Sequence, residues 1–435
     1  MRLVLSMALA LLAAGCVTPA VQPPQGGAPL PPLPAAVPAF GNAVKVGEQG
    51  NEPVVRVGPD GTVYIGALHH VYVSTGQGAS FREVDFKGMI PVYASDSALS
   101  VAPSGRAYVA FDWPYAGSTA VCASSDRGAT WDCNPTAVPG ATDRMWILAP
   151  TDRDVYLITG QTLDRPTFAV SHDEGRTWTT TSFQPDVESQ GADLAWDPVR
   201  QLIVEAATAA DGGGWGVRTF TPDGAFQGFA PMGLPAPLGD ATVAVDAAGT
   251  WWAVACAEGE PGSNCKPGVA RSEDAGATWN VTAIPSEANT FLLRFIAAGA
   301  ADRVVTGWYE TAAGSADDGS ADWRFVAAQT ADGQHWTPTL LTPEPVHHGA
   351  MCSSLSCLGE ARFAGDFIGL ALDGQGQAHA AWVRQTGPKI PPTTQLSLQP
   401  WEQVEYARTN APAAPVSAGD RAARSADLVL NNRFK

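Results

Sequence analysis

One short motif recurs along the chain at intervals of about fifty residues, and this repetition constrains the fold more than any other feature. The pattern S-x-D-x-G-x-T-W is complete at residues 124–131, 171–178 and 272–279. Shortened or weaker forms keep the same spacing, and the six copies begin at residues 74, 124, 171, 221, 272 and 330. A repeat of this period is typical of arrays in which similar units pack side by side.

Each residue type in the motif suits a tight turn between two antiparallel strands. The Asp carboxylate accepts hydrogen bonds from turn amides, and the Gly permits a positive φ. The Trp covers the hairpin with a large apolar ring. We therefore predict that each copy joins two strands of one small sheet.

Two strand-like runs precede each copy, separated by turn signals such as Gly58-Pro59-Asp60-Gly61. The predicted pairs are 54–57 with 62–66, 98–102 with 107–111, 145–148 with 154–159, 194–196 with 201–205, 241–245 with 250–255, 291–295 with 303–308, and 367–372 with 378–383. Seven units of four strands predict an all-β fold, a seven-bladed β-propeller of four-stranded antiparallel blades, with six blades as the alternative.

The last unit has a third strand near residues 403–407, but no further copy of the motif follows it. Its fourth strand is expected from residues 43–46, which would close the ring by adding an N-terminal strand, or from 428–430. We assign 42–410 to the propeller and 411–435 to a C-terminal tail that contains the second of these candidates.

The repeated motif resembles the Asp box, also called the bacterial neuraminidase repeat (BNR), of the sialidase-like superfamily. Asp boxes occur in sialidases, sortilin-type receptors, family 74 xyloglucanases and photosystem assembly factors. The resemblance implies that each copy joins the third and fourth strands of a blade, on the side away from any active face. It therefore argues strongly for the fold and weakly for the function.

The N-terminus has the layout of a secretory signal. Met1-Arg2 precedes an apolar run, 3–12, which is too short to span a bilayer, and small residues then lead to Cys16. This arrangement resembles the lipobox of bacterial lipoproteins, which implies removal of the signal peptide 1–15 and lipidation of Cys16; plain secretion is the alternative. Residues 16–41, rich in Pro and Ala, are expected to form a tether. These features predict an exported protein, lipid-anchored in the bacterial cell envelope at the outer membrane or cell surface.

The six remaining cysteines form close pairs along the chain. An even number in an exported chain favours disulfide bonds. The pairs are Cys122 with Cys133, Cys256 with Cys265, and Cys352 with Cys357. The alternatives are free thiols or a metal site, the latter only where His347 and His348 precede Cys352.

Propeller geometry puts the starts of the innermost strands, and the connections between second and third strands, on one side, which we call the entry face. The motif turns lie on the opposite side, the turn face. Residues at the entry to the innermost strands are Glu52, Asp96, Asp143, Asp193, Asp240, Asn289 and Asp366. Six carboxylates around a channel mouth repel one another unless they cap backbone amides between blades or bind a cation such as calcium or a cationic ligand. No other cofactor is expected.

Aromatic side chains lie near carboxylates in the loops of the same face, notably Trp113 and Trp308. Aromatic rings beside acids suit carbohydrate binding, although packing within blades also explains many of the 14 Trp. A formal charge of −17 argues against a nucleic-acid partner, because the phosphate backbone would be repelled.

Sialidase chemistry, as the resemblance implies it, needs three arginines, an aspartate acid/base and a tyrosine activated by a glutamate. The candidates are Arg56, Arg294 and Arg362 with either Tyr309 and Glu310 or Tyr406 and Glu405. Adjacent residues on a strand point to opposite faces, which argues against both Tyr–Glu pairs. We therefore predict a monomeric, non-catalytic module that binds a glycan or an envelope protein through Glu52, Asp96, Asp143, Asp193, Asp240, Asp366, Trp113 and Trp308. A sialidase-like exo-glycosidase acting on sialic acid-containing or other glycans is the alternative.

Overall fold

A computed structural model describes the chain in twelve stretches, which together form thirty β-strands and no α-helix. The described residues are 37–48, 50–90, 96–113, 117–139, 145–159, 166–182, 191–208, 214–234, 241–260, 263–351, 365–387 and 402–410. Within these stretches, no helix has the length and apolar character needed to cross a membrane.

The strands fall into seven sheets, and the four main strands of each sheet come from one stretch of sequence except in the last. Blades 1 to 4 contain β2 (Pro53–Val57), β3 (Val63–Ala67), β4 (His70–Ser74) and β5 (Arg82–Glu83); β6 (Ser97–Val101), β7 (Ala107–Trp113), β8 (Ser118–Ser124) and β9 (Asp132–Pro139); β10 (Trp146–Leu148), β11 (Val155–Thr159), β12 (Thr167–Ser171) and β13 (Thr179–Ser182); and β15 (Ala195–Asp197), β16 (Leu202–Thr208), β17 (Trp215–Phe220) and β18 (Phe226–Pro231).

Blades 5 to 7 carry two short additional strands. They contain β19 (Ala241–Val245), β20 (Trp251–Glu260), β21 (Ser263–Ser272) and β22 (Asn280–Ala283), with β14 (Gly191–Ala192) parallel to β19; β23 (Thr290–Ala298), β24 (Val304–Thr311), β25 (Asp322–Thr330) and β26 (Thr337–Leu340), with β27 (His347–His348) beside β25; and β28 (Gly369–Leu372), β29 (Ala378–Gln385), β30 (Glu402–Arg408) and β1 (Val44–Lys45).

The sheets follow one another around a ring, so the chain is a seven-bladed β-propeller and the six-bladed alternative is wrong. The four main strands pair antiparallel, in sequence order in blades 1 to 6, and the innermost strands of successive blades contact each other at six of the seven junctions. Blades 3 and 4 meet through the stacked rings of Phe168 and Phe220, whose centroids are 4.1 Å apart. The inner strands β28 and β2 contact each other and complete the circle.

Blade 7 is completed by the N-terminal strand. β1 pairs antiparallel with β30, Val44 opposite Tyr406 and Lys45 opposite Glu405, and the backbone amide of Val46 donates to the carbonyl of Val404. This confirms the first of the two predicted closing strands; residues 428–430 lie outside the described part of the chain. Because the third and fourth strands of blade 7 come from opposite ends of the propeller, no turn joins them. Seven blades therefore need only six copies of the turn motif.

The third copy shows how the motif forms its turn, between the third and fourth strands of blade 3. The Ser171 hydroxyl accepts a hydrogen bond from the amide of Gly175 at 2.9 Å. The Asp173 carboxylate accepts from the amide of Thr177 at 2.8 Å and from its hydroxyl at 2.6 Å. The Trp178 ring donates to the carbonyl of Gly175. These bonds, chiefly from the threonine hydroxyl, lower the pKa of Asp173 to about 2.

Five of the six turns also pack against the blade before them, through their glycine. Gly175 of blade 3 faces Tyr108 of blade 2, and Gly333 of blade 6 faces Trp252 of blade 5. At the point of closure, Gly78 of blade 1 faces Tyr406 of blade 7, where a Cβ would lie 2.2 Å from Cε1 of the ring. The motif thus stabilises both a hairpin and a junction between blades.

Candidate functional site

The entry face carries a cavity of about 330 Å³ between blades 6 and 7. It opens where β25 begins, where β29 ends and where β27 lies, all of which are on the entry face. Side chains on its wall include Ser320, Asp322, Pro345, Val346, His348 and Gln385.

The segment containing β27 bridges the two blades and so forms the base of the cavity. The amide of Val346 donates to the carbonyl of Trp323 on β25 at 2.7 Å. On the other side, the amide of Gln385 on β29 donates to the carbonyl of Val346 at 2.9 Å, and the Arg384 guanidinium donates to that of Pro345 at 3.0 Å. Backbone pairing on both sides fixes the position of this segment.

Four side chains on the cavity wall carry polar groups, those of Ser320, Asp322, His348 and Gln385. His348 Nδ1 lies 2.6 Å from Oδ1 of Asp322, and both side chains are exposed, at 72% and 56%. The Gln385 amide oxygen lies 2.7 Å from Nδ1 of the buried His347. The wall therefore offers an imidazole, a carboxylate, an amide and, at Ser320, a hydroxyl, all in defined positions.

The acidic ring is described at four of its six predicted positions. Glu52 accepts a hydrogen bond at 3.0 Å from the amide of Asp366, which joins blades 1 and 7. The amide of Asp96 donates at 2.7 Å to the buried carboxylate of Asp112 in the same blade. Glu52 thus caps a backbone amide as predicted, whereas at Asp96 the capping carboxylate is that of Asp112, which is not one of the ring positions. Asp143 and Asp240 lie outside the described residues.

A bound cation at the ring stays a prediction. Among the described residues, no three His, Cys, Asp or Glu side chains lie close enough together to hold a metal ion. The two histidines considered as metal ligands near Cys352 have other contacts. His347 contacts Gln385 and the carbonyl of Ala350, and His348 contacts Asp322.

Arg56 forms an ion pair with Asp193, which the sequence did not predict. The Arg56 guanidinium on β2 of blade 1 donates to Oδ2 of Asp193, at the entry to blade 4. Blades 2 and 3 lie between these residues along the shorter arc of the ring, so the pair crosses the central channel. Asp193 also accepts from the amide of Leu194 at 2.9 Å. A residue nominated to bind a substrate carboxylate is thus already occupied by a carboxylate of the chain itself.

Arg294 lies buried between blades 5 and 6. Its guanidinium donates to the carbonyl of Ala255 at 3.0 Å and lies 3.1 Å from Sγ of Cys265. The third arginine candidate, Arg362, lies outside the described residues. The two described arginines therefore contact different groups.

The Tyr309–Glu310 pair is separated by the geometry of its strand. The Tyr309 hydroxyl accepts a hydrogen bond at 2.8 Å from the amide of Val383 in blade 7, and burial raises the pKa of this tyrosine. Glu310 instead accepts from Nε1 of Trp308 at 2.9 Å. A tyrosine with a raised pKa, whose hydroxyl is not held by its neighbouring glutamate, is not an activated nucleophile.

The second pair, Tyr406 and Glu405, is separated in the same way. The Tyr406 hydroxyl lies 2.6 Å from Nδ1 of His379. Glu405 accepts from Nε1 of Trp382 at 2.9 Å and from Nε of Arg384 at 2.7 Å.

Of the two tryptophans nominated for ligand binding, Trp308 was nominated wrongly. It is 1% exposed, packs against Phe291, and donates its ring N–H to Glu310, so it offers no face to a ligand. Its place within a blade follows from its apolar surface, which the core buries. The side chain of Trp113 lies outside the described residues.

Two of the three predicted disulfides are confirmed. Cys122 is bonded to Cys133, and Cys256 to Cys265. The remaining pair, Cys352 and Cys357, lies outside the described residues, as does Cys16.

The cavity itself was missed from the sequence. Its residues come from strand ends of two blades and from the β27 segment, which carries no copy of the motif. The only available signal was the His347–His348 pair, which suggested a metal site but no cavity.

Comparisons with known proteins locate the chain only among solved folds. No protein-family model matches the sequence, and no curated protein matches it. The chain is similar to YCF48 bound to a D1 peptide, at 11% identity and a TM-score of 0.49 over 87% of this chain and 99% of that one. It is also similar to the endosialidase of phage phi92, at 9% identity and a TM-score of 0.48 over 86% and 70%. A protein of unknown function from Dyadobacter fermentans matches at 10% identity and a TM-score of 0.43 over 86% and 99%. At these values we draw no functional conclusion from any of them.

Proposed function

We propose that this protein is an exported, lipid-anchored β-propeller of the cell envelope that binds a glycan on its entry face without hydrolysing it. The six turns are proposed to be true Asp boxes, with structural roles only. Glu52, Asp96, Asp193 and Asp366 are proposed to form a rim around the channel mouth beside the cavity.

The cavity between blades 6 and 7 is the observation that carries this proposal. Its volume of about 330 Å³ lies near the lower end of the range for small-molecule sites, roughly 300–1,000 Å³. Such sites are usually lined by apolar side chains, whereas His348, Asp322, Ser320 and Gln385 offer hydrogen-bonding groups here. A sugar unit, with hydroxyls around a compact ring, has matching chemistry.

The proposed lack of hydrolysis is supported by the contacts that the residues nominated for catalysis make within the protein. Arg56 is paired with Asp193, Arg294 is buried under a disulfide, and Tyr309 accepts from a backbone amide. Each of these contacts serves the fold, and none leaves an activated nucleophile in the cavity.

Binding can be tested by applying the purified protein to an array of printed glycans and comparing two glutamine variants. Gln385→Ala removes an amide from the cavity wall and should weaken binding about three- to tenfold, the effect of one hydrogen bond. Gln375→Ala makes the same chemical change at an exposed position of the same blade, in the turn between β28 and β29, and should leave binding unchanged. Equal changes in glycan binding for the two variants would contradict the cavity as the binding site. Capture of an envelope protein, with no glycan bound, would favour the protein-binding alternative.

The anchor is tested separately. Cys16→Ser should move the protein from the membrane fraction to the soluble fraction of the cell envelope, because lipidation needs the thiol. A variant that still sediments with membranes would contradict lipid anchoring while leaving the glycan proposal unaffected.

A further inference from the structure

The disulfide between Cys256 and Cys265 lies against a buried arginine. Arg294 Nη1 is 3.1 Å from Sγ of Cys265, and Nη2 is 3.7 Å from Sγ of Cys256. The strand that carries this arginine is irregular, with a register shift between Leu292 and Phe295 in β23. Such a bulge redirects a side chain, here toward the hairpin of β20 and β21 in the neighbouring blade.

The cation at Arg294 lacks an anionic partner within the described residues. The side chain is 3% exposed, its Nη1 donates to the carbonyl of Ala255, and its Nε has no hydrogen-bond partner there. Burial lowers the pKa of Arg294 to about 10, with no carboxylate to oppose the shift. A buried charge without a counter-ion is costly, so this position favours any change that creates an anion next to it.

Reduction of the disulfide is such a change. We infer that Cys256–Cys265 is a redox-active disulfide whose reduced form is stabilised by an ion pair between the Cys265 thiolate and Arg294, and that its reaction partner is a dithiol. A thiolate of the partner attacks Sγ of Cys256, the S–S bond breaks, and Cys265 leaves as the thiolate. The second thiol of the partner then forms the partner's own disulfide and releases Cys256 as a thiol. Two electrons pass from the dithiol to the protein disulfide, and one proton is released to solvent because Cys265 stays ionised.

The other described disulfide provides an internal control. Cys122 and Cys133 lie directly opposite each other on β8 and β9, and Cys122 is fully buried. Among the hydrogen bonds of the described residues, no arginine or lysine donates to this pair. Its two cysteines should therefore be reduced to neutral thiols, with no net release of a proton.

Other charged groups near Cys265 do not replace the arginine. Lys266 follows it on β21 and donates its ammonium to the carbonyl of Ala288, and Glu258 on β20 is exposed. On β24, which pairs with β23, the Glu310 carboxylate faces Trp308 and Ser286. Arg294 is thus the cation in contact with the sulfurs.

The experiment equilibrates the full chain with mixtures of reduced and oxidised dithiothreitol between about pH 6 and about pH 7.5, below the ordinary thiol pKa of about 8.5. Free thiols are then alkylated, and mass spectrometry gives the reduced fraction of each cysteine pair. The equilibrium constant for Cys256–Cys265 should rise about tenfold per pH unit, since one proton is released. The constant for Cys122–Cys133 should stay nearly constant over the same range. Equal, flat profiles for the two pairs would overturn the inference without requiring any variant.

Arg294→Met then assigns the effect to the guanidinium. This variant should flatten the pH profile of Cys256–Cys265 and lower its reduced fraction, whereas Arg294→Lys, which retains a charge, should keep the slope. A slope that survives in Arg294→Met would show that another group holds the thiolate, and the inference would fail. Should Arg294→Met not fold, the comparison of the two native pairs still decides the question.

Discussion

Alanine at Gly78 is expected to destabilise the propeller by about 2–5 kcal/mol, because this glycine lies where the ring closes. Its φ is +83°, a conformation that costs a residue with a Cβ roughly 1–2 kcal/mol. The added methyl would also lie 2.2 Å from Cε1 of Tyr406 and 2.7 Å from Cζ, so a well-packed ring must move. Overpacking of this kind costs about 1–3 kcal/mol.

Gly88 is a matched control for the backbone contribution. Its φ is +80°, but a Cβ there would meet no atom within 4 Å. Gly88→Ala should therefore lose only about 1–2 kcal/mol. Urea unfolding followed by tryptophan fluorescence measures both variants against the parent protein, with the slope checked for constancy.

A double-mutant cycle with Tyr406→Leu isolates the contact between blades 1 and 7. The cost of Gly78→Ala should fall by about 1 kcal/mol or more when the ring is replaced, since the smaller side chain leaves room for the methyl. Equal losses for Gly78→Ala and Gly88→Ala, or strict additivity in the cycle, would refute the packing of this turn on the last blade.

Two further predictions concern the motif and the closing strand. The folded pKa of Asp173, about 2, lies below its ordinary value, so its contribution to stability is present above about pH 4 and is lost as the pH falls through about 2. Thr177→Val removes the hydroxyl donor and should raise that pKa, as measured by carboxyl NMR titration; an unchanged value would contradict the hydrogen-bond explanation. A chain starting at Gly47 lacks β1 and should lose about 2 kcal/mol or more of stability, because the backbone hydrogen bonds of β30 and the apolar contact of Val46 are lost. A chain starting at Val37 keeps β1 and should match the full protein in urea unfolding. Equal stability of the two truncated chains would count against closure by β1.

The sequence predicted the fold well because the fold depends on local and repeated features. Alternating apolar runs and the S-x-D-x-G-x-T-W turns each report on a few neighbouring residues, and their repetition revealed seven units. The paired cysteines Cys122 and Cys133 were predictable for the same reason, since they lie on adjacent strands of one hairpin. The choice of β1 over residues 428–430 needed the structure, because strand addition depends on where two distant parts of the chain meet.

The candidate site was much less predictable, since it depends on contacts between blades. Arg56 and Asp193 were both nominated, but for separate roles, and a linear pattern gives no indication that they form an ion pair across the channel. Arg294 was nominated as one of three arginines for sialidase chemistry, whereas a bulge in β23 directs it to a disulfide. Trp308 illustrates a further limit, because sequence position on a strand near the entry face does not determine whether a large ring is exposed or buried.

The central claim is that the entry face binds without hydrolysing, and the most direct test is the release of fluorophore from a fluorogenic sialoside by the purified protein. Tyr309→Phe is measured beside it as the variant that would remove a tyrosine nucleophile. The account predicts no release above the buffer blank for either protein. Turnover by the parent protein that is lost in Tyr309→Phe would contradict it.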